Sequence, residues 1–226
     1  MTMSSRWTTD RQNPDDPIYA VLMTSRNKDN KDKVEGFVQR KASFLYHMPH
    51  PLYYSETLAK RFSRFVDEGK DGEMSRMYVS VNSRDPIKIK RELCHLLIDD
   101  NLPSNTPLTH MESVVTSISM KKGFNIGKKW LFDFDIRDTE LENRFFWDVK
   151  KIVDADDYGP LEPSVEQYKT PRGSAFIVKH GFDIRKLPKE WKDYIHSGDI
   201  TLMRDDMLCV RWATKPGLQI AETNSI

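Results

Sequence analysis

The sequence predicts an α+β protein in which a mixed sheet is covered by helices. Three patterns carry this expectation. Side chains alternate with period two over residues 76–82 and again over 128–137, and each of these stretches is followed by a capped segment with helical spacing. The last third then reads as short strands separated by turns, which suits a sheet with helices on its faces.

Along the chain, residues 1–16 are polar and read as a flexible tail. Residues 18–24 form an apolar run suited to a strand. Residues 26–41 are dense in charge and read most simply as a solvated loop, with phosphate contact as the alternative. Ser55 offers an N-cap to a helix carrying Leu58, Phe62, Phe65 and Val66 on one face, ended by Gly69 and Gly72. In the strand at 76–82, Met77, Val79 and Val81 face one way and Tyr78, Ser80 and Asn82 the other. Asp85 and Pro86 then open a helix that turns Ile89, Leu93, Leu96 and Leu97 inward. A polar linker at 99–107 leads to a second helix ending near Met120.

After the strand at 128–137, Asp138 or Thr139 caps a helix with Leu141, Phe145, Val149 and Ile152 inward. Residues 165–169 and 175–179 flank Thr170-Pro171-Arg172-Gly173, a hairpin turn in which glycine is expected to take a positive φ. A short helix follows Pro188 with Trp191, Tyr194 and Ile195. Residues 200–203 and 208–212 read as a second hairpin around Arg204, Asp205 and Asp206. The whole is one domain over 17–216, or two lobes at 17–75 and 76–216, with a second flexible tail at 217–226.

Composition excludes several classes. The 226-residue chain balances 35 Lys and Arg against 34 Asp and Glu, so contact with a polyanion needs a local patch. Its two cysteines, Cys94 and Cys209, are too few for a zinc cluster and fit a reducing compartment. No apolar run is long enough for a membrane span, which suggests a cytoplasmic protein. Neither the dinucleotide-binding nor the P-loop glycine pattern occurs.

The decapeptide Lys-Lys-Trp-Leu-Phe-Asp-Phe-Asp-Ile-Arg at 128–137 carries the functional signal. Period-two alternation puts Trp130, Phe132, Phe134 and Ile136 on one face and Leu131, Asp133 and Asp135 on the other. About five acid-x-acid pairs arise by chance from 34 acids in 226 residues, and five occur, so spacing alone says nothing. Setting singles out this pair, because the other four lie in polar or helix-like stretches. Two carboxylates about 7 Å apart on an aromatic strand are candidate ligands for Mg²⁺ or Mn²⁺. The bland alternative is an edge strand facing solvent.

The order of pieces adds a resemblance. A strand ending Ser-Val-Asn-Ser-Arg, a helix, an acid-x-acid strand, a helix, a Thr-Pro-x-Gly hairpin and then Gly-Phe-Asp-Ile-Arg resemble the archaeo-eukaryotic primase superfamily, particularly the small primase-like proteins of bacteriophages. The resemblance runs roughly from Arg76 to Trp212. It implies a primase-like, RRM-like catalytic core serving DNA replication, with Asp133 and Asp135 as catalytic metal ligands and a third acid among Asp199, Asp205 and Asp206. Arg137, Arg172, Lys179 and Arg185 are the basic residues expected near the face of those acids to contact phosphate, with surface charge or pairing to the acids as the alternative. Arg76, Asn82 and Arg84, at the ends of the strand at 76–82, are expected to contact template or nucleotide, with turn formation as the alternative. The family histidine expected two residues after the hairpin glycine is replaced by Ala175, which cannot donate a hydrogen bond.

Three functions are therefore expected in order. The first is a metal-dependent nucleotidyltransferase using nucleotides and a single-stranded nucleic-acid template. The second is a catalytically reduced relative that only binds nucleic acid or nucleotide. The third is a metal-dependent nuclease.

Overall fold

A computed structural model describes residues 13–51, 55–98, 110–155, 163–216 and 218–219. The expected linker at 99–107 lies outside the described residues, as do the two tails except for 13–16 and 218–219.

Nine strands form two sheets among the described residues. In chain order the elements are β1 (Ile18–Ser25), the single helical turn α1 (Asn27–Asn30), β2 (Arg40–His47), α2 (Glu56–Asp67), β3 (Met74–Ser80), α3 (Pro86–Ile98) and α4 (Met111–Ser119). These are followed by β4 (Trp130–Phe134), α5 (Thr139–Ala155), β5 (Val165–Lys169), β6 (Ser174–Val178), α6 (Lys189–Ser197), β7 (Ile200–Met203), β8 (Met207–Thr214) and β9 (Leu218–Gln219). One sheet has the order β2-β1-β3-β8-β9 and the other β5-β6-β4-β7. Every pairing is antiparallel.

The α+β class holds, but the single mixed sheet does not. β3 and β4, the two strands with the clearest alternation, lie in different sheets. Periodicity marks which face of a strand is buried and is silent on which strand lies beside it. Residues 200–203 and 208–212 likewise do not pair as a hairpin. β7 pairs with β4 and β8 with β3, so residues 204–206 carry the chain from one sheet to the other.

Each sheet has its own core. Tyr19, Val21, Met23, Phe44, Tyr46, Met77 and Val79 pack against Leu58, Phe62, Phe65 and Val66 of α2. That helix begins where the Ser55 hydroxyl accepts the Leu58 N–H at 3.2 Å. On the second sheet, Phe132, Phe134, Phe176 and Val178 pack against Phe145, Val149 and Val153 of α5 and Trp191 of α6. Asp138 caps α5 by accepting from Glu140 and Leu141 at 2.9 and 3.1 Å. A third apolar group, Val81, Leu131, Ala175, Ile177 and Leu208, takes members from both sheets and joins their inner faces.

Two further expectations change in detail. On α3 only Ile89 is buried, and Leu97 is exposed rather than turned inward. Gly173 does not take a positive φ. A Cβ at Gly173 would collide with the carbonyl oxygen of Phe134, so glycine is needed there because the β5–β6 hairpin docks backbone to backbone beside the acid strand. No helix among the described residues is long and apolar enough to cross a membrane.

Phe145 is fully buried, with its ring centroid 5.1–5.4 Å from those of Phe132, Phe134, Phe176 and Trp191. Phe145→Ala should cost about 3–5 kcal/mol in urea unfolding. Trp147→Ala, on the same helix but 62% exposed, should stay within about 0.5 kcal/mol of the parent.

Candidate functional site between the two sheets

The sheets meet along the shared apolar group and part beyond it, leaving a cleft of about 650 Å³. One wall is the acid strand. Phe132 and Phe134 face α5, which turns Leu131, Asp133 and Asp135 the other way, into the cleft. Asp133 is half-buried beside Leu131 and Ala175, while Asp135 is exposed nearer the mouth. The Asp135 N–H extends the sheet by donating to the Asp199 carbonyl at 3.0 Å.

Of the three later acids, only Asp206 lines the cleft. It sits at the end of the sheet-to-sheet crossover, where its carboxylate accepts the Met207 N–H at 2.7 Å. Asp205, one residue earlier, points away and is bound by Arg84 at 2.8 Å and by the Asn82 side chain at 3.2 Å. Asp199 bonds Ser197 in a separate surface depression beside α6. Among the described residues no set of three or more His, Cys, Asp or Glu side chains stands close enough to hold a metal ion without other ligands.

Burial raises the Asp133 pKa above the usual aspartate value, and the charges of Asp135 and Asp206 raise it further. Arg76 and Arg172 pull it down without cancelling the rise.

The opposite wall is basic. Arg26, Lys28, Lys41 and Arg76 line it from the end of β1, α1, β2 and β3, and Arg172 reaches in from the hairpin. Asp29 organises three of these. Its buried carboxylate pairs with Arg26 at 2.9 Å and Arg76 at 2.7 Å, and lies 3.8 Å from Arg172 across the cleft. Burial acts to raise the Asp29 pKa, but the Arg26 hydrogen bond and the Arg76 charge outweigh it and hold it down. Arg76 itself is buried, and its Nε has no partner within the protein.

The sequence-derived residues therefore divide. Asp133, Asp135, Arg76 and Arg172 come together in the cleft, with Arg137 beside them, its Nε donating to the Arg172 carbonyl at 3.3 Å. Asn82 and Arg84 are buried in the sheet joint. The Asn82 amide bonds both the N–H and the carbonyl of Lys129, at 2.8 and 3.0 Å, and so fixes the start of the acid strand. Lys179 lies outside the cleft lining, with its charge near Asp154 of α5. Arg185 is exposed on a 3₁₀ turn and forks onto Asp183.

Residues 26–41 read from sequence as a solvated loop with phosphate contact as the alternative, so Arg26, Lys28 and Lys41 are not singled out. The signal available is Phe44, Tyr46 and Met48, whose alternation marks a strand and puts Lys41 on its opposite face. Comparison of the chain with family models, curated proteins and solved structures gives no match.

A raised native pKa means that the unfolded chain ionises Asp133 more readily than the folded one. Its relative contribution is favourable at acid pH and lost as pH rises through the folded pKa. Asp133→Asn should therefore raise the melting temperature at pH 7, and the gain should shrink as pH falls toward the unfolded value of about 3.9. Melts of both proteins across this range check it, and a gain independent of pH would contradict it.

Proposed function

We propose that the cleft binds a nucleoside triphosphate with Mg²⁺ or Mn²⁺ and performs nucleotidyl transfer of primase or primase-polymerase type on a single-stranded nucleic-acid template. The observation that carries this reading is the opposition within one cleft of Asp133 and Asp135 to Arg26, Lys28, Lys41 and Arg76, with Arg172 beside the acids on the β5–β6 turn. Carboxylates alone would suit a bare cation and basic residues alone a bare anion. Both together suit a metal–polyphosphate complex.

The residues fit a cation that arrives with its substrate. Mg²⁺ is commonly held by one or two carboxylates, substrate phosphates and water, so two cleft carboxylates suffice where no protein-only cage exists. Burial and then the charge of Asp135 raise the Asp133 pKa, and a bound cation would offset both. Arg76 lines the cleft with its guanidinium held in place by Asp29, and its charge faces a phosphate bound there.

On this reading Asp133 and Asp135 hold the cation, with Asp206 adding negative potential from the crossover. The cation supplies charge neutralisation at the phosphate and eases ionisation of the attacking 3′-hydroxyl. The basic wall holds the triphosphate and offsets the charge that builds on departing pyrophosphate. Arg172 does so from the hairpin, next to where the family histidine would stand. In this protein that place is Ala175, packed into the sheet joint with no donor to offer.

That alanine favours the second reading, a relative that binds nucleotide or nucleic acid without joining it. Strand synthesis from labelled ribo- and deoxynucleotides on several single-stranded templates with Mn²⁺ separates the two. The proposal expects product, abolished by Asp133→Ala. Binding that weakens with salt, with no product under either metal, would overturn the enzyme and leave the binding module.

A further inference from the structure

The strand register divides the cleft into two rows. On the five-stranded sheet Thr24 stands opposite Arg76, and the next cleft-facing row sets Leu22 opposite Tyr78 and Tyr78 opposite Cys209. A register shift between Met77 and Tyr78 in the β3–β8 pairing brings Cys209 to this place. The four-stranded sheet repeats the division. Asp133 is paired with Ala175, and one row deeper Leu131 is flanked by Ile177 and Met203. Asp133, Arg76 and the other basic residues thus occupy the mouth, and an apolar row lies behind them toward the joint of the sheets, with Asp206 at its inner end. The rows are about 7 Å apart along each strand.

We propose that the inner row is a nucleobase pocket, with Tyr78 as the platform on which the base stacks and Leu22, Leu131, Met203 and Cys209 around it. This rests on the nucleotide reading of the cleft and adds which part of the ligand each row holds. A charged polyphosphate needs the mouth, whereas a planar base gains from an aromatic face and apolar walls. The row spacing leaves the sugar between them.

Three features suit the inner row to a base. Tyr78 is half-buried and lines the open cleft. The Arg26 guanidinium carbon lies 5.9 Å from the Tyr78 ring centroid, which puts a second flat, stacking group beside the platform and links it to the phosphate wall. The cleft volume of about 650 Å³ lies in the range of small-molecule sites and has both apolar and charged surface to cover.

The test compares ATP with inorganic tripolyphosphate, each with Mg²⁺, by calorimetry on the full chain. Tyr78→Ala should weaken ATP at least about tenfold more than it weakens tripolyphosphate, and Tyr78→Phe should keep the parent's preference for ATP over tripolyphosphate. Tripolyphosphate binding retained by Tyr78→Ala also reports that the cleft is intact. Equal losses for the two ligands, or no loss for ATP, would overturn the pocket while leaving the polyphosphate site in place. If the parent binds neither ligand, the nucleotide reading falls and this inference falls with it.

Discussion

The structure depends on one joint, where Val81 and Leu208 of the first sheet meet Leu131, Ala175 and Ile177 of the second. Two antiparallel sheets, each with one face already covered by helices, can share only part of their remaining faces because each is twisted. Beyond the shared part they separate. The apolar contact thus holds the sheets together and also creates the cleft, and it leaves Asp133 and Arg76 facing each other from different sheets. Polar ties fix the same joint from the side. Asn82 and Arg84 hold Asp205 on the crossover, and Asn82 also holds the backbone of Lys129 where the acid strand begins. Arg84 is wholly buried with two guanidinium nitrogens lacking partners, so Asp205 is the carboxylate that makes its burial tolerable.

Charge in the cleft is arranged locally within a chain that is nearly neutral overall. Asp133 and Asp135 stand on the four-stranded sheet, and Arg26, Lys28, Lys41 and Arg76 face them from the other. Burial and the charge of Asp135 hold the Asp133 pKa up although Arg76 and Arg172 act to lower it. Asp29 plays the reverse part on the basic wall, where it keeps Arg26 and Arg76 compatible with burial and reaches toward Arg172. A ligand carrying both a cation and phosphates would complete both walls at once.

What the sequence revealed follows what local rules can encode. The caps at Ser55, Asp85 and Asp138, the aromatic face of the acid strand and the inward face of α5 are all properties of short segments. Each appears in the structure with its expected register or spacing. Sheet membership is a long-range property. Nothing in residues 76–82 or 128–137 says that their strands belong to separate sheets, and nothing in 200–212 says that a turn-like Arg-Asp-Asp is a crossover. That crossover decides among the candidate acids, because successive residues point opposite ways: Asp205 goes to Arg84 and Asp206 to the cleft. Lys179 and Arg185 lie close to the hairpin in sequence, but the strand after Gly173 runs away from the mouth and neither lines the cleft.

The central claim is that Asp133 and Asp135 share a cation with a triphosphate held by the basic wall. Crystals grown with Mn²⁺ and a non-hydrolysable nucleoside triphosphate would test it through the anomalous signal of manganese. The account predicts a peak within bonding distance, about 2.0–2.6 Å, of both a β4 carboxylate and a phosphate oxygen, with Arg76 or Arg172 on the phosphates. A triphosphate bound elsewhere on the molecule, or manganese with no contact to Asp133 or Asp135, would contradict it.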